Sequence, residues 1–352
     1  FPPLSKKKFV IRPSRIKEFG HELGIDVIKI TTAEPFTEEA AKILEQKNEG
    51  LYLRSEHWYK RNIDKICDVQ TKLPGAKAII AACQCYLTDE VTDHTEPGKP
   101  HGLIARYTWR NHYLDLRKRL RKLGHFIKKE SGASFRVFSN GPVAEKPIAV
   151  RSGIGFYGKH SIIINRTYGS WIVLGEIVTN VELEPDSRAL GDCGDCQKCI
   201  DACPTGALIR PYILDRRRCI QALTNWYGVI PDDIARVWGN RLYGCSICQD
   251  VCPLNEKVKS QKPRTDLGYV GPSLPLLEIL NIDEAEYRRR YSNNQITSSW
   301  IKFPAIQRNA LICLGHIQDT TTLPFLKKFI PHNDAILAET AEWAIARLKN
   351  GS

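Results

Sequence analysis

Apolar positions along the chain follow three regimes. In the first, strand-like and helix-like periods alternate. Gly24-Ile25-Asp26-Val27-Ile28-Lys29-Ile30 alternates in part and is rich in β-branched residues, which predicts a strand. After the turn signal Pro74-Gly75, the mostly apolar run from Ala78 to Leu87 predicts a buried strand. Between Leu114 and Ile127 the period becomes helical: Leu116, Leu120, Leu123 and Ile127 share one face, with Arg117, Lys118, Arg119, Arg121 and Lys122 on the other. Ser161-Ile162-Ile163-Ile164 and Trp171-Ile172-Val173-Leu174 read as two more buried strands, and Asn165-Arg166-Thr167-Tyr168-Gly169 as the turn of a hairpin between them. Residues 1–180 are therefore expected as a domain of mixed α and β structure.

Residues 181–262 lose this periodicity and instead carry eight cysteines, as expected where metal clusters hold the chain. Residues 263–352 return to a helical period. Ile306, Ala310, Cys313 and Leu314 share a face, as do Leu323, Leu326 and Ile330, and then Leu337, Ala341, Ile345 and Leu348. Short helices joined by turns such as Pro331-His332-Asn333-Asp334 suit a HEAT-like pair or triple, or else a plain helical domain. The fold class is thus α+β multidomain.

Length and charge narrow the class. A chain of 352 residues suits two or three domains, and its 42% hydrophobic content is enough to build their cores. Its formal charge of +12 favours a polyanionic partner, although an ordinary basic surface has the same composition. No run reaches the ~18 apolar residues of a membrane span, so no membrane partner is expected. Phe1-Pro2-Pro3-Leu4-Ser5-Lys6-Lys7-Lys8 lacks the apolar core of a secretion signal. The expected setting is cytoplasmic and reducing, where twelve cysteines are metal ligands or buried thiols rather than disulfides.

Cys193-x2-Cys196-x2-Cys199-x3-Cys203-Pro204 has the spacing of the bacterial ferredoxin run, in which three thiolates wrap one cubane and the fourth reaches another. A second run, Cys245-x2-Cys248-x3-Cys252-Pro253, lacks a first member, and Cys219 is the spare cysteine nearby. One cluster then takes Cys193, Cys196, Cys199 and Cys252, and the other takes Cys203, Cys219, Cys245 and Cys248. Zinc is the alternative for paired C-x2-C, but the triple run and two Cys-Pro endings favour two [4Fe–4S] clusters. Cys67, Cys83, Cys85 and Cys313 read as buried structural thiols.

No G-x-G-x-x-G between strand and helix and no Walker loop is present, so nucleotide cofactors are not signalled. Arg151-Ser152-Gly153-Ile154-Gly155-Phe156-Tyr157-Gly158-Lys159-His160 holds three glycines in six residues. It is either a close-approach surface for a flat ligand or a glycine-rich turn before a strand.

Five segments carry a family resemblance: Leu73–Ile80, Ala105-Arg106-Tyr107-Thr108-Trp109, Arg151–His160, Tyr168-Gly169-Ser170-Trp171, and Leu242-Tyr243-Gly244-Cys245 through Pro253. With Gln307-Arg308-Asn309-Ala310 in the tail, they make the chain resemble epoxyqueuosine reductase over nearly its whole length. The resemblance implies cobalamin bound in the N-terminal α/β domain, beside a ferredoxin-like domain. It implies cofactor contacts at Arg61, Ala105, Ser139, Ile163, Leu174, Gln221, Ser246 and Ile247, and it sets the cluster holding Cys245 and Cys248 nearest the cobalt. It also implies reduction of epoxyqueuosine to queuosine in a tRNA anticodon loop, by a monomer fed by an external electron donor. The family has a proton-donating aspartate twelve residues before the arginine corresponding to Arg151. Here that catalytic position is Ser139, a far weaker acid, with Asp115 and Glu145 nearby in sequence.

Arg117–Lys122, Arg216–Arg218 and Arg288–Arg290 are candidate grips on tRNA phosphates, or solvated faces. Rival readings are a cobalamin-dependent reductive dehalogenase, a ferredoxin-type electron carrier without corrin, and an RNA-binding helical scaffold that needs no redox relay.

Overall fold

The computed structural model describes residues 11–53 and 60–350, so the N-terminal segment Phe1–Lys8 lies outside the described residues. The fold forms two compact units that do not follow chain order. The first runs to Glu49 and takes in Arg61–Tyr86 and His112–Cys196; the second takes Leu87–Asn111, everything from Gln197, and a short segment starting at Gly50.

In the first unit, Pro13–Glu22 is helical and ends at Gly24, whose φ of +79° few other residues tolerate. The expected strand therefore starts after that turn and spans Val27–Thr32. It pairs antiparallel with Ala78–Cys85, which is buried at all eight positions. That strand pairs antiparallel with Ile172–Thr179, and Phe135–Phe138 closes the sheet, also antiparallel. The α/β expectation for this region thus takes the form of an antiparallel sheet with packed helices. His112–Ser131 buries Leu116, Leu120, Leu123 and Ile127, as the helical period requires. A methyl group on Gly175 would meet Leu120 and Leu116, so this helix lies on the Val173, Gly175 and Ile177 face. Leu174, Glu176 and Val178 point to the opposite face.

The expected hairpin of Ser161–Ile164 with Trp171–Leu174 does not form. Ile163–Ile164 instead pairs with Phe156–Tyr157 in a two-stranded sheet, and Ile172–Thr179 joins the central sheet. The predicted turn does exist, closed by an Asn165–Gly169 bridge and by the Asn165 side chain, which accepts from the Thr167 and Tyr168 amides. The longer strand gains eight register partners along Ala78–Cys85, more than a short hairpin offers.

In the second unit, Arg241–Tyr243, His101–Ile104 and Ser273–Pro275 form a three-stranded sheet under a helical core. Phe303–Ile317 and Ala335–Asn350 pack together, burying Ile306, Ala310, Cys313 and Leu314 against Leu337, Ala341, Ile345 and Leu348. Leu326 is buried as expected, but Ile330 is 43% exposed. Its helix, Leu323–Lys327, ends before it, so the helical period no longer applies there. Among the described residues no helix is long and apolar enough to cross a membrane.

Candidate functional site

The two cysteine runs in the second unit fold as a repeat. Residues 197–203 and 246–252 each open on an extended-to-bridge residue, Gln197 at φ −125°, ψ 6° and Ser246 at φ −122°, ψ 4°. Each makes one helical turn, Lys198–Asp201 or Ile247–Asp250. The amides of Ile200 and Asp201 bond the Gln197 carbonyl just as those of Gln249 and Asp250 bond Ser246, and each turn ends with the cysteine amide of Cys203 or Cys252 at 3.2 Å from the carbonyl three residues earlier. The two helical turns pack on each other. Proline after each final cysteine suits this ending, because it continues the chain without needing a donor.

This geometry brings thiols together. Cys248 faces Cys245, Cys219, Cys199 and Cys203, and burial together with those neighbours pushes its thiol well up. Cys219 caps the helix Ile220–Asn225, and the amides of Ala222 and Gln221 point at its sulfur. The Ile247 amide does the same for Cys245. Such N–H groups stabilise thiolate sulfur on iron, and iron supplies the charge that deprotonates thiols held protonated by burial. Among the described residues, no three His, Cys, Asp or Glu side chains form a group that could hold a single metal ion. A cubane instead places each thiolate on a separate iron. Cys193 and Cys196 close the first unit, while the buried Cys199 and Cys252 belong to the second. Cys67, Cys83, Cys85 and Cys313 are buried and in no disulfide, as expected.

Four of the expected cofactor contacts lie near this repeat. Ser246 and Ile247 sit between Cys245 and Cys248, and the Ser246 hydroxyl donates to Asp250 at 2.8 Å. Gln221 follows Cys219 by two residues and donates to the Tyr107 hydroxyl at 3.3 Å. Ala105 bonds the Tyr243 carbonyl, and Gly244 lies so close that a methyl group there would come within 2.6 Å of the Ala105 side chain.

The other four are in the first unit, where three of them share one neighbourhood. Ser139 is fully buried, its hydroxyl donating to the Leu174 carbonyl at 2.7 Å and its carbonyl accepting from Arg117 at 2.7 Å. Arg61 donates to the Gly141 carbonyl at 3.3 Å, and the Gly141 amide donates to Glu145 at 2.9 Å. Burial pushes the Glu145 carboxyl up to about 7, against the pull of the Gly141 and Asn140 amides and of Arg117 and Arg61. Glu176, 1% exposed, is raised well above the carboxylate range by burial and then by Glu145, and its Oε2 has no hydrogen-bond partner. Glu176 was not singled out from sequence. The signal was there: one carboxylate inside the apolar run Ile172–Val178. Asp115, the other nearby acid, is already engaged by Arg119 at 2.8 Å and by Gln84 at 3.0 Å.

Ile163 lies on the small two-stranded sheet, paired with Tyr157. The glycine-rich stretch beside it serves the chain's own packing. Gly153 ends the helix Glu145–Ser152 at φ +89° and abuts the Ser187 carbonyl, while Gly155 and Gly158 pack on Ile164 and on the His160 ring. The turn reading of this stretch is therefore the one its own contacts describe. His160 itself is buried and neutral, pulled down to about 4 by desolvation.

The basic runs divide. Arg288, Arg289 and Arg290 pair with Glu284, Glu286 and Glu278, and Arg217 and Arg218 pair with Asp215 and Asp233. On the helix His112–Ser131, Lys118, Arg121 and Lys122 stay exposed. With Arg119 and His125 they line an open cavity of about 450 Å³.

Comparison with known proteins places the chain beside two family models, a curated relative and solved structures. Residues 192–255 match the family model of a 4Fe-4S double cluster binding domain, and residues 67–140 match the model for epoxyqueuosine reductase QueG, DUF1730. The chain is 34% identical over 343 residues to epoxyqueuosine reductase of Bacillus subtilis (strain 168), covering 94% of this chain and 86% of that one. Among solved structures, an epoxyqueuosine reductase with a tRNA-Tyr epoxyqueuosine-modified stem loop superposes with a TM-score of 0.86 at 32% identity, over 95% of this chain and 89% of that one. A Bacillus subtilis epoxyqueuosine reductase with its catalytic aspartate loop swung out of the active site also gives 0.86, at 33% identity over 95% and 90%.

Proposed function

The chain belongs to the epoxyqueuosine reductase family, and from that premise we propose that it removes the epoxide oxygen of epoxyqueuosine in a tRNA anticodon loop, giving queuosine. The observation that carries this reading is 34% identity sustained over 94% of the chain, well beyond the cysteine segment that other ferredoxin-like proteins share.

The double-cluster family match supports two [4Fe–4S] clusters. The proposed ligands are Cys203, Cys219, Cys245 and Cys248 for one, supported by their convergence and by the amides aimed at Cys219 and Cys245. Cys193, Cys196, Cys199 and Cys252 are proposed for the other on their spacing. Cobalamin is proposed as the third group, against Arg61, Ala105, Ser139, Ile163, Leu174, Gln221, Ser246 and Ile247. Four apolar positions, Ala105, Ile163, Leu174 and Ile247, together with the polar Gln221 and Ser246 beside proposed cluster ligands, fit a corrin. When bound, these groups supply single-electron relay and a reduced cobalt at the epoxide.

The chain's own residues do the rest. Arg61 and Arg117 hold the Ser139-Asn140-Gly141 loop through its carbonyls. Ser139 fastens that loop to Leu174 and has no proton left to give. Lys118, Arg121 and Lys122 present an exposed cationic face suited to tRNA phosphates. The modified base leaves its loop to reach the site. Residues 1–180 are read as the cobalamin domain, 181–262 as the ferredoxin-like domain and 263–352 as HEAT-like helices, in a cytoplasmic monomer served by an external donor.

The test is anaerobic incubation of the cluster-loaded protein with cobalamin, a strong reductant and epoxyqueuosine-containing tRNA, followed by nucleoside mass analysis. Loss of one oxygen is expected. An unchanged nucleoside with intact clusters would overturn the reading, and protein that retains no corrin absorbance would favour a simple electron carrier.

A further inference from the structure

Ser139 stands where the resemblance puts a proton-donating aspartate, yet its hydroxyl proton is directed at the Leu174 carbonyl, 2.7 Å away and fully buried. Opening both epoxide C–O bonds to leave an alkene consumes two electrons and two protons, and the oxygen departs as water. An acid is therefore needed beside the Ser139 loop, and the structure holds one. The loop closes on Glu145, whose Oε1 accepts from the Gly141 amide at 2.9 Å, while Arg61 holds the other side of the same peptide segment. Behind it, on the sheet face opposite the helix His112–Ser131, Glu176 is buried with Oε2 unpartnered. Phe138, directly before Ser139, is the register partner of Glu176.

We infer that Glu145, backed by Glu176, is the proton-holding acid of this site and takes the part that Ser139 cannot. The charged groups facing Glu145 are Arg61 and Arg117, which favour its anion, and Glu176, which opposes it. Two carboxyls sharing a desolvated pocket cannot both ionise near neutrality, so the pair keeps one proton between them. Glu145 is half-buried, so it can both deliver a proton outward and regain one from solvent. It supplies one of the two protons to the departing oxygen, water supplies the other, and the external donor supplies both electrons. Asp115 is excluded because Arg119 and Gln84 already occupy it.

This inference rests on the epoxide reading, so its test has two independent readouts. The first is infrared titration of the cluster-loaded protein without substrate. A protonated-carboxyl band at neutral pH is expected, reduced in Glu145→Gln, where the buried Glu176 keeps its proton, and lost in the double variant Glu145→Gln/Glu176→Gln; its absence from wild type, an unchanged band in Glu145→Gln, or its survival in the double variant would overturn the shared proton. The second is turnover. Glu145→Gln should lower the rate by about 10² to 10⁴-fold, and adding Ser139→Asp to that variant should restore it to within about tenfold and shift the pH profile. A Glu145→Gln rate equal to wild type would overturn the catalytic role. A wild type that shows the band but leaves epoxyqueuosine unchanged would overturn the substrate assignment while upholding the carboxyl pair.

Discussion

Replacing Arg308 with methionine isolates a polar interaction that ties the helical tail to the helix behind Cys219, a proposed cluster ligand. Arg308 is completely buried, with no ion pair among the described residues, and burial pulls its guanidinium down to about 9. It donates to the carbonyls of Leu223, Trp226 and Gly228, each at 2.8 Å, and to the Asn309 side chain at 2.6 Å. Asn309 donates in turn to the Thr224 and Leu242 carbonyls. The Thr224 carbonyl is in the last turn of the helix Ile220–Asn225, and the Leu223 carbonyl beside it also accepts from the Trp226 amide at 3.2 Å. The same helix begins at Cys219. Methionine roughly preserves volume, so the loss is mainly of donors. The Trp226 and Gly228 carbonyls lose their donor at about 1–3 kcal/mol each, while Leu223 keeps the Trp226 amide, so after partial relaxation the cost is about 3 kcal/mol. That is a large fraction of a domain's roughly 5–15 kcal/mol. Anaerobic denaturant titration should show a much earlier midpoint, and iron per chain should fall because Cys219 loses its support. Arg308→Lys, which keeps three donors, should lose roughly half as much. An Arg308→Met protein within about 1 kcal/mol of wild type and full of iron would refute the reasoning, since each stranded carbonyl alone should cost that much.

Three further outcomes follow from the geometry. Cys219→Ser should leave about four fewer irons per chain while the other cluster's signal persists in electron paramagnetic resonance; a full iron complement would remove Cys219 from the ligand set. Burial raises the folded-state Glu145 carboxyl to about 7, above its ordinary value of 4.5. The folded chain therefore holds a proton there that the unfolded chain has lost, and this group's stabilisation, full at acid pH, disappears as pH rises from about 4.5 to 7. Wild type should accordingly lose stability relative to Glu145→Gln between pH 5 and 7 in chemical denaturation; the neutral, buried His160 acts in the opposite sense but equally in both proteins. Replacing Lys118, Arg121 and Lys122 together with alanine should weaken binding of a tRNA stem loop and make the slope of log affinity against log salt shallower by about 2, whereas an unchanged slope would place the phosphate contacts elsewhere.

What the sequence determined by itself was everything set by local spacing. The helix His112–Ser131 follows from Leu116, Leu120, Leu123 and Ile127, because one apolar stripe has one low-energy burial. The two cysteine turns follow from C-x2-C-x3-C-P, because spacing within seven residues leaves the backbone little choice. The tertiary structure decided what depends on distant partners. Ile172–Thr179 left its expected hairpin because Ala78–Cys85, nearly a hundred residues away, offers a longer ladder. The three glycines of Gly153–Gly158 are compatible with many surroundings, and only the Ser187 carbonyl, Ile164 and the His160 ring assigned them to internal packing. The proton-holding pair belongs to the same class. Glu145 and Glu176 are ordinary carboxylates along the chain, and their altered acidity arises only when a sheet face encloses Glu176 and a loop takes much of the water from Glu145.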